Sequence, residues 1–97
     1  MAALDLLGRR WTLRVIWELG NQPAGFRELR RRCDEMSSSV LSQRLAELDD
    51  AGIMTARPSG GYELTPEGKA LLAALGPLDQ WAKRWAARMQ RQKPAAL

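Results

Sequence analysis

Apolar residues recur with helical spacing from the start of the chain, which predicts helices before any strand. The pattern indicates a short first helix from about Ala3 and a longer one from about Trp11 to Leu19. Gly20 stands where a residue in the left-handed conformation would end the second helix, and Pro23 then prevents the helix from resuming. We therefore expect two helices and a turn over the first quarter of the chain.

A second pair of helices is predicted in the middle of the chain. Phe26, Leu29 and Cys33 mark the inner side of a helix of about two turns, and the arginines at 30–32 fall on its outer side. Phe26 is expected to be a buried anchor beside a very short strand. Residues 34–36 then form a turn that leads into a run of serines.

The helix after this turn is led by three serines. Ser37 is a good N-cap, because its hydroxyl can accept a hydrogen bond from a backbone N–H two or three residues further on. One buried stripe follows at i, i+4 and i+7: Leu41, Leu45 and Leu48. The residues on the opposite face are small or polar: Ser39, Ser42, Gln43 and Ala46. Ala51-Gly52 is expected to end this helix.

Two short β-prone runs come next, at residues 53–57 and 62–65, and the Pro-Ser-Gly-Gly turn between them predicts a tight hairpin. Two helices joined by a turn and followed by a hairpin form a winged helix-turn-helix, so the expected fold class is mainly α (α+β). We expect a single domain over residues 1–97. Its parts are a helix-turn-helix over about 27–51, a two-stranded wing over about 53–65 and C-terminal dimerisation helices over about 66–91.

The C-terminal stretch continues the apolar stripe. Thr65 is expected to cap the helix and Pro66 to take its first position, where a missing N–H does no harm. The stripe runs as far as Met89, and Gly76-Pro77 is expected to kink the helix or to split it in two.

The apolar stripes at the two ends of the chain exceed what a 97-residue core can hide. Two tryptophans four residues apart favour a partner helix, most simply from a second copy of the chain. The expected dimer contacts are Leu4, Leu7, Leu78, Trp81, Trp85 and Met89. Two alternatives remain open: packing of the C-terminal stripe onto Leu4, Leu7 and Trp11 of the same chain, and a ligand pocket lined by tryptophans between two subunits.

Composition narrows the function further. The net charge is +4, from 15 Lys+Arg against 11 Asp+Glu, and this weakly favours polyanionic partners. One cysteine and no histidine leave no disulfide framework within the chain, no common zinc site and no Ser-His or Cys-His catalytic pair. We therefore expect no enzymatic activity, no metal and no cofactor. No apolar run reaches membrane-spanning length and the start lacks a signal-peptide pattern, so a cytoplasmic protein that makes no membrane contact is expected.

The serine-led helix has the features of a DNA-recognition helix. Short side chains let its N-terminus approach phosphates and base edges, and its first N–H groups favour an anion. Asp49 and Asp50 at its far end would repel phosphate, so the N-terminal half is expected to read the bases. The expected base contacts are Ser38, Ser39, Ser42 and Gln43. The expected phosphate and wing contacts are Ser37, Arg30, Arg31, Arg44, Arg57, Ser59 and Gly60.

Each of these features has a simpler interpretation. The serine-led helix could be an ordinary amphipathic helix with a serine cap, and Arg57 a solvated charge at the end of a strand. The arginines at 30–32 could form a solvated basic face. Cys33 falls at the end of an apolar helix side, which is typical of a small core residue, whereas a redox switch would require an exposed thiolate.

Four motifs in order make the sequence similar to one known family: ALDLLGRRWTLRVIWEL, FRELRR, MSSSVLSQRLAELDDAGI and YELTPEGKALL. It resembles the HxlR-type winged helix-turn-helix transcriptional regulators of bacteria, from Ala3 to about Trp85. The resemblance implies a homodimer held by the terminal helices, with the segment 37–44 in the major groove and the hairpin 57–61 as the wing. Many members carry a Cys-Pro pair just ahead of the segment that matches Ala3. The present sequence begins after that point, so this mode of sensing is not expected.

These observations together predict a homodimeric regulator that binds a pseudo-palindromic operator in double-stranded DNA. One alternative is a winged-helix module that binds protein through its tryptophan-rich terminal surface. Another is a ligand-responsive repressor with a small-molecule effector between its subunits. The operator, the regulated genes and the inducing signal are not encoded in any pattern of the sequence.

Overall fold

The computed structural model describes residues 2–92, which form five helices and one hairpin. The elements in chain order are α1 (Ala2–Leu7), α2 (Thr12–Asn21), α3 (Phe26–Arg32), α4 (Ser38–Asp50), β1 (Met54–Ala56), β2 (Tyr62–Leu64) and α5 (Pro66–Gln92). The predicted fold class is confirmed: the chain is mostly helical, with a helix-turn-helix at α3–α4 and a two-stranded antiparallel wing. None of the described helices is long and apolar enough to cross a membrane.

The core consists of buried apolar residues of α2, α3, α4 and the two wing strands, together with residues of the turns between the helices. The three leucines of the α4 stripe are buried, and Leu29 and Cys33 meet them from α3. The remaining buried apolar residues of this cluster are Val15, Ile16, Leu19, Ala24, Met36, Met54 and Leu64. The inward side of α4 is thereby fixed, and its serine-rich side is left facing outward.

The start of α4 and the start of α5 are capped as predicted. The Ser37 hydroxyl accepts a 3.4 Å hydrogen bond from the Val40 N–H. The Thr65 hydroxyl accepts one of 3.1 Å from the Gly68 N–H and donates one of 2.6 Å to the Gly52 carbonyl. The second cap therefore also joins the start of α5 to the end of the helix-turn-helix.

The wing is an antiparallel hairpin in which Met54 pairs with Leu64, and Ala56 with Tyr62. Gly60 and Gly61 turn the chain with φ values of 101° and 80°, which a residue with a side chain rarely adopts. Ala24 forms an isolated bridge with Tyr62, which confirms a very short strand ahead of α3. Phe26 beside it is half-buried rather than buried.

The predicted end of α2 is wrong, and of the two alternatives expected at Gly76-Pro77, a kink or a split, the split is wrong. Gly20 does not end α2 in the left-handed conformation: it is helical, and α2 continues to Asn21. A Cβ atom at Gly20 would overlap the Leu72 side chain, so glycine at this position allows α2 and α5 to pack closely. Pro77 does not split the C-terminal helix, since α5 is one helix of 27 residues. The carbonyl of Ala73 loses its usual N–H donor at Pro77, but Ala73 is exposed and water can replace that donor.

Candidate nucleic-acid interface

The first two turns of α4 present a continuous polar surface. Ser38, Ser39, Ser42 and Gln43, the four residues predicted to contact bases, are all exposed. The Ser37 and Ser39 hydroxyls lie 3.0 Å apart beside the N–H groups that begin the helix. Because the leucine stripe anchors the opposite side, this surface can approach a groove without exposing the core.

The turn between α3 and α4 is held in an unusual backbone conformation. Asp34 and Glu35 are consecutive residues with φ values of 60° and 57°, although neither is glycine. The Arg30 Nε donates a 2.6 Å hydrogen bond to the Met36 carbonyl, and its guanidinium lies 3.2 Å from a Glu35 carboxylate oxygen. Arg30 therefore closes the turn that sets the position of α4, in addition to lying on the predicted basic face.

Arg14 of α2 holds the same turn from the other side, a role that the sequence interpretation did not identify. Its guanidinium lies 3.1 Å from a carboxylate oxygen of Asp34 and donates a 2.6 Å hydrogen bond to the Arg32 carbonyl. A hydrogen bond to Glu18 raises the pKa of Arg14 above its ordinary value, and the charge of Asp34 adds to this effect. Arg14 and Asp34 are 20 residues apart, and no local pattern indicates that they would meet.

Arg31 and Arg32 of α3 have intramolecular partners as well. Arg31 forms a side-on pair with Glu28, with an Nε–Oε1 distance of 2.9 Å. This hydrogen bond lowers the pKa of the Glu28 carboxyl and raises that of Arg31. Arg32 donates hydrogen bonds to the carbonyls of Glu18 and Gln22, at 3.3 and 2.9 Å, and so joins α3 to the end of α2. Arg31 is the most exposed of the three, which leaves it the most accessible to a phosphate.

Arg44 is mostly buried among groups of its own chain. Its Nε donates a 2.8 Å hydrogen bond to the Arg10 carbonyl, and a second guanidinium nitrogen lies 2.9 Å from a Glu47 oxygen. Only 12% of its side chain is exposed. Glu47 also lies 3.3 Å from the Arg9 guanidinium. The contacts of Arg44 therefore connect α4 to the segment between α1 and α2, instead of presenting its charge to a ligand.

The strands of the wing lie beside the second half of α4. Ser59 and Gly60 are exposed, and the half-exposed Arg57 lies 4.0 Å from Glu63 across the hairpin. A cavity of about 240 Å³ separates α4 from the wing. It is lined by Phe26, Ser42, Leu45, Ala46, Asp49, Met54 and Tyr62. The second half of α4 and the wing strands, together with Phe26, therefore form one shallow cleft.

Cys33 is fully buried at the end of α3. Burial raises the pKa of its thiol, and this effect exceeds the lowering by the neighbouring Arg14 and Arg32. The observation agrees with the interpretation as a small core residue, whereas the redox-switch interpretation required an exposed thiolate. Among residues 2–92 no three Cys, Asp or Glu side chains form a cluster that could hold a metal ion.

The terminal helices expose most of the apolar residues expected at a dimer contact. Leu4, Leu78, Trp81, Trp85 and Met89 are between 40% and 64% exposed. Leu7 differs, because it is half-buried against the core of its own chain. Leu13 and Trp17 on α2 are also exposed and extend the same apolar surface, but the sequence interpretation did not include them. The tryptophans of α5 do not pack back onto the chain, so that alternative is wrong for them.

Comparisons with known proteins agree with this architecture. The model of the HxlR-like helix-turn-helix family matches residues 6–90. YvaP of Bacillus subtilis, named as an HTH-type transcriptional regulator, is 35% identical over 89 residues that cover 86% of this chain and 82% of YvaP. YodB of the same organism, also named as an HTH-type transcriptional regulator, is 31% identical over 90 residues that cover 87% and 80% of the two chains.

Solved structures give the same result. A possible HxlR family transcriptional factor of Thermoplasma volcanium has a TM-score of 0.81 at 31% identity, covering 90% of this chain and 84% of that chain. The quinone-bound form of B. subtilis YodB has a TM-score of 0.77 at 32% identity, covering 86% and 92%. The named relatives are transcriptional regulators rather than enzymes. From its motifs, its fold and these similarities, the chain belongs to the HxlR family of winged helix-turn-helix transcriptional regulators.

Proposed function

We propose that this regulator binds an operator in double-stranded DNA as a homodimer, with one α4 in the major groove at each half-site. The observation that carries the proposal is the exposed polar surface at the start of α4, a helix whose second half borders the wing strands across a shallow cleft. Half-sites one helical turn apart would match the two-fold symmetry of such a dimer.

Base readout in this proposal depends on the exposed side chains of α4. Gln43 can pair with the N6 and N7 edge of adenine, and Ser38, Ser39 and Ser42 can donate to or accept from either strand. Their short side chains leave the helix N-terminus close to the phosphates, where the Ser37 cap and the free N–H groups favour negative charge.

Phosphate contacts are assigned to groups that remain accessible. Arg31 is accessible on α3, and Arg57 lies at the base of the wing tip formed by Ser59 and Gly60. Arg30 is partly exposed and could contact phosphate while it closes the turn. We assign Arg44 a positioning role, because its guanidinium is already bonded to Arg10 and Glu47.

Dimer formation is assigned to the apolar surface of the terminal helices. This surface consists of four apolar residues that are exposed in the isolated chain. Three of them lie on one side of α5, namely Leu78, Trp85 and Met89, and the fourth, Leu4, lies on α1. Trp17 and Leu13 border a small apolar groove with Leu75 and Leu78, so α2 extends the surface. A second copy would remove this surface from water, which strengthens a protein whose own core is small.

The decisive experiment is a mobility shift with DNA from upstream of the protein's own gene, at two salt concentrations, alongside the mass in solution. A specific complex of a dimer that weakens steeply with salt is expected. Gln80→Ala, a change on the exposed side of α5, serves as a control that should bind like the parent. A clean dimer without DNA affinity at low salt would contradict the proposal and would turn attention to a protein partner for the tryptophan surface.

Regulation by a small molecule is a second candidate. It is favoured by the similarity to YodB, for which a quinone-bound structure exists. In this chain the exposed tryptophans lie at the expected subunit contact, so a bound molecule there would affect how two DNA-reading helices are spaced. A ligand that binds the dimer and lowers its affinity for the operator would establish this function.

A further inference from the structure

The positive charge of the chain is concentrated at its C-terminal end. Residues 80–97 contain five of the fifteen Lys and Arg residues and none of the eleven Asp and Glu residues. Residues 1–79, which include the whole helix-turn-helix and wing, therefore carry a net charge of −1. The basic excess that first indicated a polyanionic partner thus lies outside the proposed DNA-reading surface.

Arg84, Arg88 and Arg91 form one stripe along the second half of α5. Their spacing of four and three residues places them on the same side of the helix. Like charges at these spacings repel each other and destabilise a helix, so the stripe is unfavourable without an anion beside it. The helix dipole accounts only for Arg91, because its effect is confined to the last turn and Arg84 and Arg88 lie before that turn.

Two stacked aromatic rings border this stripe. The rings of Trp81 and Trp85 are nearly parallel, with an angle of 9° between their planes and 5.9 Å between their centroids. Both side chains are about half exposed. By the geometry of an α-helix, Trp81 lies between the apolar side that carries Leu78 and Met89 and the side that carries the arginines. A dimer contact through the apolar side would therefore leave the arginine side accessible.

These residues line one open groove of about 440 Å³ along the exposed surface of α5. Its lining residues are Trp81, Arg84, Trp85, Ala87, Arg88 and Arg91. The lining combines a flat aromatic surface, three cations and no carboxylate. Indole faces stack on planar rings, and guanidinium groups bind carboxylates with paired hydrogen bonds.

We propose that this groove binds a small planar aromatic anion. The ring of the ligand stacks on Trp81, which itself stacks on Trp85, and its acidic group is bound between Arg84 and Arg88, with Arg91 adding charge at the open end. This site specifies the class of effector for the small-molecule regulation proposed above, and any regulatory role of the site rests on that proposed function. Ligand binding is measured on the protein without DNA. A failure to bind the ligand can therefore be distinguished from a failure to bind the operator.

The test uses the full chain labelled with ¹⁵N and follows the indole N–H signals of its four tryptophans during addition of 2-naphthoate. The signals of Trp81 and Trp85, assigned with Trp81→Phe and Trp85→Phe, should shift in a saturable way, while those of Trp11 and Trp17 stay in place. Two matched probes separate the contributions: 2-naphthamide keeps the ring without the charge, and cyclohexanecarboxylate keeps the charge without an aromatic ring. Both should bind at least tenfold more weakly.

Variants test the arginines directly. Arg84→Gln combined with Arg88→Gln should raise the dissociation constant for 2-naphthoate at least tenfold and leave the melting temperature nearly unchanged, since both side chains are exposed. Lys69→Gln combined with Arg27→Gln removes the same number of charges elsewhere and should change the constant less than twofold. Four results would each overturn the proposal. Two concern the ligands: 2-naphthamide binds as tightly as 2-naphthoate, or millimolar 2-naphthoate shifts no indole signal. The other two are a shift of the Trp11 or Trp17 signal instead of those of Trp81 and Trp85, and equal effects of the two double variants on the dissociation constant.

Discussion

The Nε of Arg30 and the carbonyl oxygen of Met36 form a 2.6 Å hydrogen bond across the turn of the helix-turn-helix. The same guanidinium lies 3.2 Å from Glu35, one of two consecutive residues in the left-handed conformation. This conformation costs roughly 1–2 kcal/mol per residue that is not glycine, so contacts made elsewhere must offset it. Arg30 therefore has two expected roles. It stabilises the turn that positions α4, and it is a candidate contact for a DNA phosphate.

Arg30→Met should destabilise the fold by about 1 kcal/mol, because the Met36 carbonyl loses its donor while the side chain is only partly buried. For a chain of this size that corresponds to a fall in melting temperature of about 4–8 °C, measurable by circular dichroism. Arg31→Met is the matched control, since Arg31 lies on the same helix and its side chain is mostly exposed; its melting temperature should stay close to that of the parent. Equal melting temperatures for the two variants would show that Arg30 does not support the turn.

Gln43→Ala should weaken binding to the cognate operator by roughly 1–3 kcal/mol and relax specificity at one base position. The reason is the loss of a two-point hydrogen-bonding side chain from the exposed surface of α4. Competition binding against operators changed one base pair at a time would measure this. A uniform loss on every operator variant would assign Gln43 to the backbone instead.

Arg57→Ala should weaken binding to all sequences alike and reduce the slope of log K against log salt by about one unit. The expected cause is the loss of one phosphate contact at the wing, where the guanidinium is only loosely paired with Glu63. Fluorescence anisotropy over a salt series with specific and random duplexes provides the measurement. An unchanged slope, or a loss confined to the specific duplex, would contradict the proposed wing contact.

Gly68→Ala should destabilise the protein by about 1–3 kcal/mol, although alanine favours helices in general. Gly68 is buried, and an added Cβ would overlap the carbonyl oxygen of Ile53, which is backbone and cannot easily move. Gly76→Ala in the same helix is the control, because no atom other than those of its chain neighbours lies within 4 Å of its added Cβ. It should change the stability by less than about 1 kcal/mol, because the gain in helix propensity is opposed by the steric restriction that Pro77 places on a preceding residue with a Cβ. Chemical denaturation should therefore give a clearly lower midpoint for Gly68→Ala than for Gly76→Ala.

The buried thiol makes a prediction about pH. Because burial raises the pKa of Cys33 in the folded chain, the folded state holds its proton more tightly than the unfolded state does. This contribution to stability is fully present below the unfolded pKa of about 9 and is lost as pH rises through the folded pKa. Melting temperatures from pH 7 to pH 10 should therefore fall more for the parent than for Cys33→Ala, which cannot ionise there. Parallel curves would indicate that the thiol titrates normally.

Features that depend on neighbours in the sequence were predictable. The leucines of α4 repeat at helical spacing, so their burial on one side follows from the geometry of the helix. The Ser37 cap, the Thr65 cap and the glycine turn of the wing are likewise local hydrogen-bonding or backbone requirements. The order of these elements, together with four motifs, was sufficient to indicate the family.

Features that depend on distant contacts were not predictable. In the sequence, Gly20 has the features of a residue that ends a helix. In the structure it is helical, and the absence of a side chain there allows Leu72 of α5 to pack against it. From the sequence, Arg44 is expected to be a free cation on α4, but its guanidinium donates a hydrogen bond to the Arg10 carbonyl, 34 residues earlier. Sequence by itself determined the class of protein and the side of α4 that faces outward, because periodicity and capping act within a few residues. Only the tertiary structure decided which arginines remain accessible to DNA and which tryptophans remain exposed, because packing between elements far apart in the chain determines burial and pairing.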